Sequence, residues 1–362
     1  MENIKERYIA TIVLHALGDT IGFRNGIWEF NYNIPITKPP PHGVSELILH
    51  DFIDLGGIND IDLNGWMVSD DTVLHIAMTE ALLSKNKTEE EFINNVKKEF
   101  MNADLNEKRI PGVMTLKSIK NFEKNNVIFD NTYDNNGGGS GCSMRSLSIG
   151  LLYNGIENRK ILIRKSIISG YLTHKSPIGY LGGVVSALFT AFAIENIDIK
   201  LWPFKLIEIF ESSMLLDEII NPEMMAVKND IELFINKWKL YMSLKFDKNK
   251  NPIFFESHKN PSLRSRFYYE YFTDDKGYII GSNGYNSCII AYDSLIDAGK
   301  CWEKLVIYSM LHWGDNDSTG CIAAGLYGAQ YGFYGVPEKN MKYLEFKKKL
   351  FKLGEQIFNQ NN

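Results

Sequence analysis

Two short stretches concentrate oxygen-bearing side chains. Residues 313–320 read WGDNDSTG, with two carboxylates, an amide and two hydroxyls in the five positions 315–319. Residues 69–72 read SDDT. Each stands directly before a run that reads as a helix. Two chemistries are open to such a pattern. Acidic and hydroxyl side chains at a helix start accept its unpaired N–H groups and complement its positive dipole end. If the two helix starts meet, Asp70, Asp71, Asp315 and Asp317 converge, and one or two hard cations such as Mg²⁺ or Mn²⁺ would offset their repulsion. Two such ions about 3.5–4 Å apart orient a substrate and activate water. The readings are compatible, since one side chain can cap a helix and bind a metal. A calcium loop fits less well. Asp315, Asp317, Thr319 and Gly320 match its positions one, three, five and six, but Leu326 stands where a bidentate Glu belongs.

A third stretch, NNGGGSGCSMR over 135–145, is rich in glycine. It is not a P-loop, because no Gly-Lys-Ser/Thr follows, and it lacks the register of a dinucleotide fingerprint. A Gly/Ser run before a helix still exposes N–H groups that suit a phosphate. Arg145, at the start of that helix, reads either as a phosphate ligand or as a structural ion-pair partner.

The elements that must position these groups are helical. Apolar residues recur at three and four positions almost throughout, and alternating strand patterns are scarce. The spacing predicts a helix over 4–17, with Ile4, Ile9, Ile12, Val13 and Leu17 on its buried face and Gly18 as its stop. Further helices are predicted over 72–85 with Ser69 as N-cap, 89–101, 143–152, 160–171 and 179–194. Others follow over 203–215, 222–243, 319–331 and 342–358, with two more in 287–311 broken near Gly299. The stretches 24–66, 124–142 and 245–286 read as irregular, and loops of that length are usually functional or disordered. The fold class is all-α.

The chain has 362 residues, 44% of them hydrophobic and 23% charged, and a net charge of −5. That length affords a large core, and the absence of a dividing linker predicts one domain over 1–362. The charge argues against a nucleic-acid-binding surface. No uninterrupted run of 18 apolar residues occurs, which predicts no membrane span. Cys142, Cys288, Cys301 and Cys321 form no CxxC pair, which suits a reduced compartment. The N-terminal sequence carries no signal-peptide pattern, so a cytoplasmic location is expected.

Taken together, the motifs resemble the ADP-ribosylglycohydrolase family, and within it the enzymes that act on ADP-ribosylarginine. The matching stretches run GDTIGFRNGIWEF (18–30), GWMVSDDTVLHIAMTEALL (65–83), RIPG (109–112), GGGSGCSMR (137–145), THKSPIGYLGGVVSALFTA (173–191), GSNGYNSCIIAYDS (281–294) and GDNDSTGCIAAGLYG (314–328). The resemblance implies a single all-α domain with two Mg²⁺ ions, Mn²⁺ serving as a substitute. It implies ligation by Ser69, Asp70 and Asp71 from one helix start and by Asp315, Asp317 and Ser318 from the other. The implied reaction is hydrolysis of the N-glycosidic bond between ADP-ribose and a protein arginine, with Asp70 or Asp71 as base. Glu29 matches an acidic residue at the site entrance, which gates the pocket or aids proton transfer. Gly137, Gly138, Gly139, Ser140 and Gly141 would cradle the diphosphate, with Arg145 beside them. His174 would lie near the substrate, Asn316 would face it, and Ser282, Gly284 and Tyr285 would lie near the adenine, Tyr285 offering a stacking face.

Departures from the family pattern fall at Ser176, where THKSP stands for THxHP, and at Tyr285 and Asn286, where NGYN stands for SGHD. GSGCSMR likewise stands for GCGAAMR. They leave open cleavage of ADP-ribosylserine or O-acetyl-ADP-ribose, or a catalytically silent ADP-ribose-binding protein. The implied partners are mono-ADP-ribosylated proteins and ADP-ribose, met by a monomer.

Overall fold

The computed structural model describes residues 4–31, 44–124, 132–273 and 279–361. Seventeen α-helices joined by short 3₁₀ turns account for the regular structure of these residues. Only two isolated bridges, Gly139 with Asn283 and Phe246 with Pro252, have β geometry among them. The all-α expectation holds.

Two helices form the centre. Ile4–Phe23 and Asn316–Tyr331 pack along most of their lengths, with Lys347–Asn361 against the first. The first helix does not stop at Gly18. It continues to Phe23, because Gly18 and Gly22 serve close packing rather than a turn. A Cβ on Gly18 would stand 2.4 Å from the Gly320 carbonyl oxygen, and one on Gly22 would stand 2.3 Å from that of Asn316. Glycine at both positions lets the backbones touch at a modest cost in helix propensity. Every residue from 10 to 23 is buried. The helix therefore has no single apolar face, and of the five residues assigned to one, Ile4 is exposed and Ile9 half-buried.

The Pro177–Ile194 helix is the second core element. It is long and apolar enough to cross a bilayer, yet all 18 residues are buried inside the protein. It packs on Arg159–Tyr171, Leu147–Leu152 and Gly284–Ala298.

Four helices lie where the sequence reads as irregular or unassigned: Val44–Asp54, Gly57–Asp60, Val113–Lys124 and Pro261–Phe272. The first follows a proline-rich run that masks its start. The last begins with Pro261 at its first turn and Asn260 as cap, accepting from Leu263 N at 3.0 Å. The predicted 203–215 helix is two, Trp202–Phe210 and Ser213–Leu216, because Ser212 caps the second. The predicted 143–152 and 342–358 helices begin later, at Leu147 and Lys347. The break near Gly299 is observed between Ala298 and Trp302.

Candidate metal centre and substrate pocket

The two acidic helix starts meet. Asp70 and Asp71 open the Asp70–Leu83 helix, with Ser69 as N-cap accepting from Asp71 N at 3.1 Å. Asp315 caps the Asn316–Tyr331 helix, accepting from Ser318 N at 3.2 Å, and Asp317 Oδ1 accepts the same N–H at 2.9 Å. Capping is therefore real at both ends. Beyond capping, Asp70, Asp71, Asp315, Asp317 and Ser318 line one cavity of about 350 Å³, and Glu29 joins them.

The electrostatics of this cavity are unfavourable without a partner charge. Among the described residues, no Lys or Arg lines it. Burial, then the charge of Asp317, holds the carboxyls of Asp70, Asp71 and Glu29 well above the carboxylate range. Asp317 itself is pushed up by burial and by Asp315. Burial raises Asp315 to about 6, offset in part by hydrogen bonds with Asp317, Ser318 and Ser140. Such a set stays neutral by holding protons or ionises around a cation. Its donors are carboxylate and hydroxyl oxygens, the chemistry of hard divalent cations. The residues present therefore fit a metal centre. Ser69 does not line the cavity. It is buried beneath, where its hydroxyl hydrogen-bonds toward Asp317 and partly offsets the upward shift there.

A second acidic group, His258, Asp293 and Asp297, also brings ligand-type atoms together. Two cationic side chains already fill it. Lys245 Nζ lies 2.9 Å from Asp293 and 2.7 Å from Asp297, and Arg264 pairs with both carboxylates. The charges balance, and Asp293 is held below the usual carboxylate range despite its burial, chiefly by Lys245 and Arg264. This network ties together the Met225–Lys245, Pro261–Phe272 and Gly284–Ala298 helices.

The glycine-rich stretch forms the opposite wall. Gly139, Ser140 and Gly141 line the cavity, together with His174, Ser282 and Asn136. Ser140 joins the two halves: its hydroxyl donates to Asp315 Oδ2 at 3.1 Å and accepts from Ser318 Oγ at 3.3 Å. Gly137 and Gly138 stand behind the wall. A Cβ on Gly137 would lie 2.6 Å from Lys175 N, and the Gly138 carbonyl accepts from Gly284 N at 3.1 Å. His174 shares a 2.7 Å hydrogen bond between Nδ1 and Thr173 Oγ1, and burial lowers it to about 3, so it faces the cavity neutral. Ser282 reaches the cavity, but its hydroxyl is engaged with Ile279 N and O.

Several expected substrate contacts lie elsewhere. Arg145 is fully buried behind the glycine loop. It donates to Gly141 O at 2.7 Å, Ser169 O at 3.1 Å and Thr173 Oγ1 at 2.6 Å, so it braces the loop from outside the cavity lining. Tyr285 is wholly buried against Phe234 and offers no stacking face. Gly284 is packed at van der Waals limits on Ile178 O. Asn316 is buried too. It donates to Trp28 O at 2.9 Å and accepts from His312 N, holding the segment before Glu29 from below.

Other site residues were not foreseen. Ile110, Pro111, Gly112, Met114 and Thr115 supply a largely apolar wall, and Phe30 and Met144 add to it. Asp19 is fully buried beneath the cluster and accepts from Ser69 N and Thr72 N. The available signal was its place in the family-matching stretch GDTIGF, a carboxylate set among small and apolar residues.

Comparison with known proteins bears on the family and the fold. The ADP-ribosylglycohydrolase family model matches residues 1–362. The chain is 35% identical over 390 aligned residues to the Dictyostelium discoideum protein named ADP-ribosylhydrolase ARH1, covering 98% of this chain and 94% of that one. Among solved structures, a chain of an ADP-ribosylglycohydrolase-related protein complex superposes with a TM-score of 0.61. Both chains are covered completely, and at 14% identity the likeness is one of fold.

Proposed function

This chain belongs to the ADP-ribosylglycohydrolase family and is a hydrolase of ADP-ribose linkages, and from that premise we propose that its substrate is ADP-ribosylarginine in proteins and that its cofactor is a pair of Mg²⁺ ions. The observation that carries the cation reading is the lining of the cavity: among the described residues it holds five carboxylates and no Lys or Arg. That lining supports the cation pair, and the arginine linkage is supported by the motifs shared with the enzymes that act on ADP-ribosylarginine.

Asp70, Asp71, Asp315 and Asp317 would hold the ions with the hydroxyl of Ser318, while Ser69, buried beneath the cavity, would orient Asp71 and Asp317. When bound there, hard cations would stabilise the distal ribose hydroxyls electrostatically and would supply water of lowered pKa. The remaining work falls to the chain. Residues 139–141 present a wall almost free of side chains, against which a diphosphate approaches the backbone closely. His174, neutral, gives it a hydrogen-bonding ring without repelling the cations. Asp70 or Asp71 takes a proton from the attacking water as its oxygen bonds to C1″. The bond from C1″ to the guanidine nitrogen breaks, and that nitrogen takes up a proton. Glu29 suits this donation. Its Oε2 is buried without a hydrogen-bond partner among the described residues. Burial, the largest cause of its raised pKa, persists when cations neutralise the aspartates.

The test is ADP-ribose release from defined arginine-linked and serine-linked substrates with Mg²⁺ present, with Asp70→Asn/Asp71→Asn as control. Arginine cleavage lost in the control supports the proposal. Serine cleavage without arginine cleavage transfers the reading to the serine-linked alternative. Binding of ADP-ribose with no linkage cleaved would indicate a silent binder.

A further inference from the structure

The two halves of the acidic cluster come from helix starts some 245 positions apart in sequence, and something must set their separation. The Ile4–Phe23 helix touches both. On one side, Gly18 and Gly22 bring its backbone against that of the Asn316–Tyr331 helix: a Cβ on Gly22 would stand 2.3 Å from Asn316 O and 2.8 Å from Asp317 N. On the other side, Asp19 grips the turn that carries Asp70 and Asp71. Its Oδ1 and Oδ2 accept from Ser69 N at 3.1 and 3.2 Å, and its Oδ2 accepts from Thr72 N at 3.0 Å. The two N–H groups flank the ligand pair and are among the donors a helix start leaves unpaired.

We propose that Asp19 is a positioning residue which, together with the Gly22 contact, fixes the distance between the Asp70/Asp71 pair and the Asp315/Asp317 pair. One helix carries both contacts within a single turn. A shift of either helix start relative to the other breaks the Asp19 hydrogen bonds or drives Gly22 into the Asn316 carbonyl. The carboxylate at Asp19 is buried completely, a placement that costs free energy unless its hydrogen bonds are made. Asp19 lies outside the cavity lining, so beyond its charge its effect on the site runs through the residues it holds. Partners one step outside a ligand shell commonly change metal affinity by about 10–100-fold.

The inference rests on the reading of the cavity as a cation centre. It is tested by titrating Mn²⁺ into wild type, Asp19→Ala, Asp19→Asn and Gly22→Ala, following the spin-coupled Mn²⁺ signal by electron paramagnetic resonance. Metal-free melting curves are recorded in parallel. Gly22→Ala removes no charge and no hydrogen bond, so it separates spacing from electrostatics. The expected result is Mn²⁺ affinity about tenfold weaker or worse in Asp19→Ala and Gly22→Ala, with a weakened coupled signal. Asp19→Asn, whose amide oxygen still accepts, should fall between them and wild type. If Asp19→Ala does not fold, Asp19→Asn and Gly22→Ala decide the matter. Variants that melt earlier but bind Mn²⁺ with wild-type affinity and coupling overturn the positioning role alone. Wild type that binds no Mn²⁺ overturns the cation reading and this inference with it.

Discussion

Ser140 and Asp315, 175 positions apart, are joined by a 3.1 Å hydrogen bond from hydroxyl to carboxylate. The bond links the wall proposed to receive the diphosphate to the cluster proposed to hold cations. It also lowers the Asp315 carboxyl against the rise that burial imposes. Ser140→Ala removes that help. Calorimetric titration should show Mg²⁺ affinity falling by about tenfold, with a melting temperature close to that of wild type. Unchanged affinity would separate the two subsites.

Asp317 is the charge that most raises Asp70 and Asp71 after burial. Asp317→Asn keeps an acceptor for Ser318 N while relieving this repulsion. The metal-free variant should melt higher than metal-free wild type, and added Mg²⁺ should stabilise it little. A lower melting temperature would mean that capping, rather than metal binding, dominates at this position.

The metal-free protein should lose stability as pH rises through neutrality. Asp315 is raised to about 6 and Asp19 to about 7, from an ordinary value near 3.8. The folded state therefore binds more protons than the unfolded state between roughly pH 4 and 7. The stability from these groups is fully present below about pH 4 and is lost as pH climbs through their folded values. Cations reverse the penalty, so the rise in melting temperature on adding Mg²⁺ should be larger at pH 8 than at pH 5. At a hundredfold excess over Kd the stabilisation is about 2.7 kcal/mol. A rise that is equal at both pH values would count against the carboxylates as ligands.

Arg145→Ala leaves the Gly141 and Ser169 carbonyls and the Thr173 hydroxyl without their donor in a buried site. Unsatisfied buried groups cost about 1–3 kcal/mol each, so a loss of at least about 3 kcal/mol in denaturant-measured stability is expected. A phosphate ligand would behave differently, raising KM for the ADP-ribosyl substrate with little change in stability. That outcome would restore the role assigned to Arg145 from sequence.

Much of this protein was legible in the sequence because it is set locally. Helix periodicity and Gly299 located most helices. Ser69 was recognisable as a cap because capping spans only a few residues. Leu326 at position twelve excluded a calcium loop, and it is buried in the Asn316–Tyr331 helix. The motifs placed the chain in its family before any coordinate was known. Packing decided the rest. Gly18 looks like a helix stop in one dimension and is a contact point in three, because only the neighbouring backbone reveals the missing space. Arg145, Tyr285 and Asn316 have side chains that suit a ligand, but burial turned each toward the protein, and burial depends on elements far away in sequence. The convergence of Asp70 and Asp71 with Asp315 and Asp317 is likewise a property of how the Ile4–Phe23 helix seats against two others. Sequence determines which groups can bind a cation, whereas the distance between them exists only once those helices have packed.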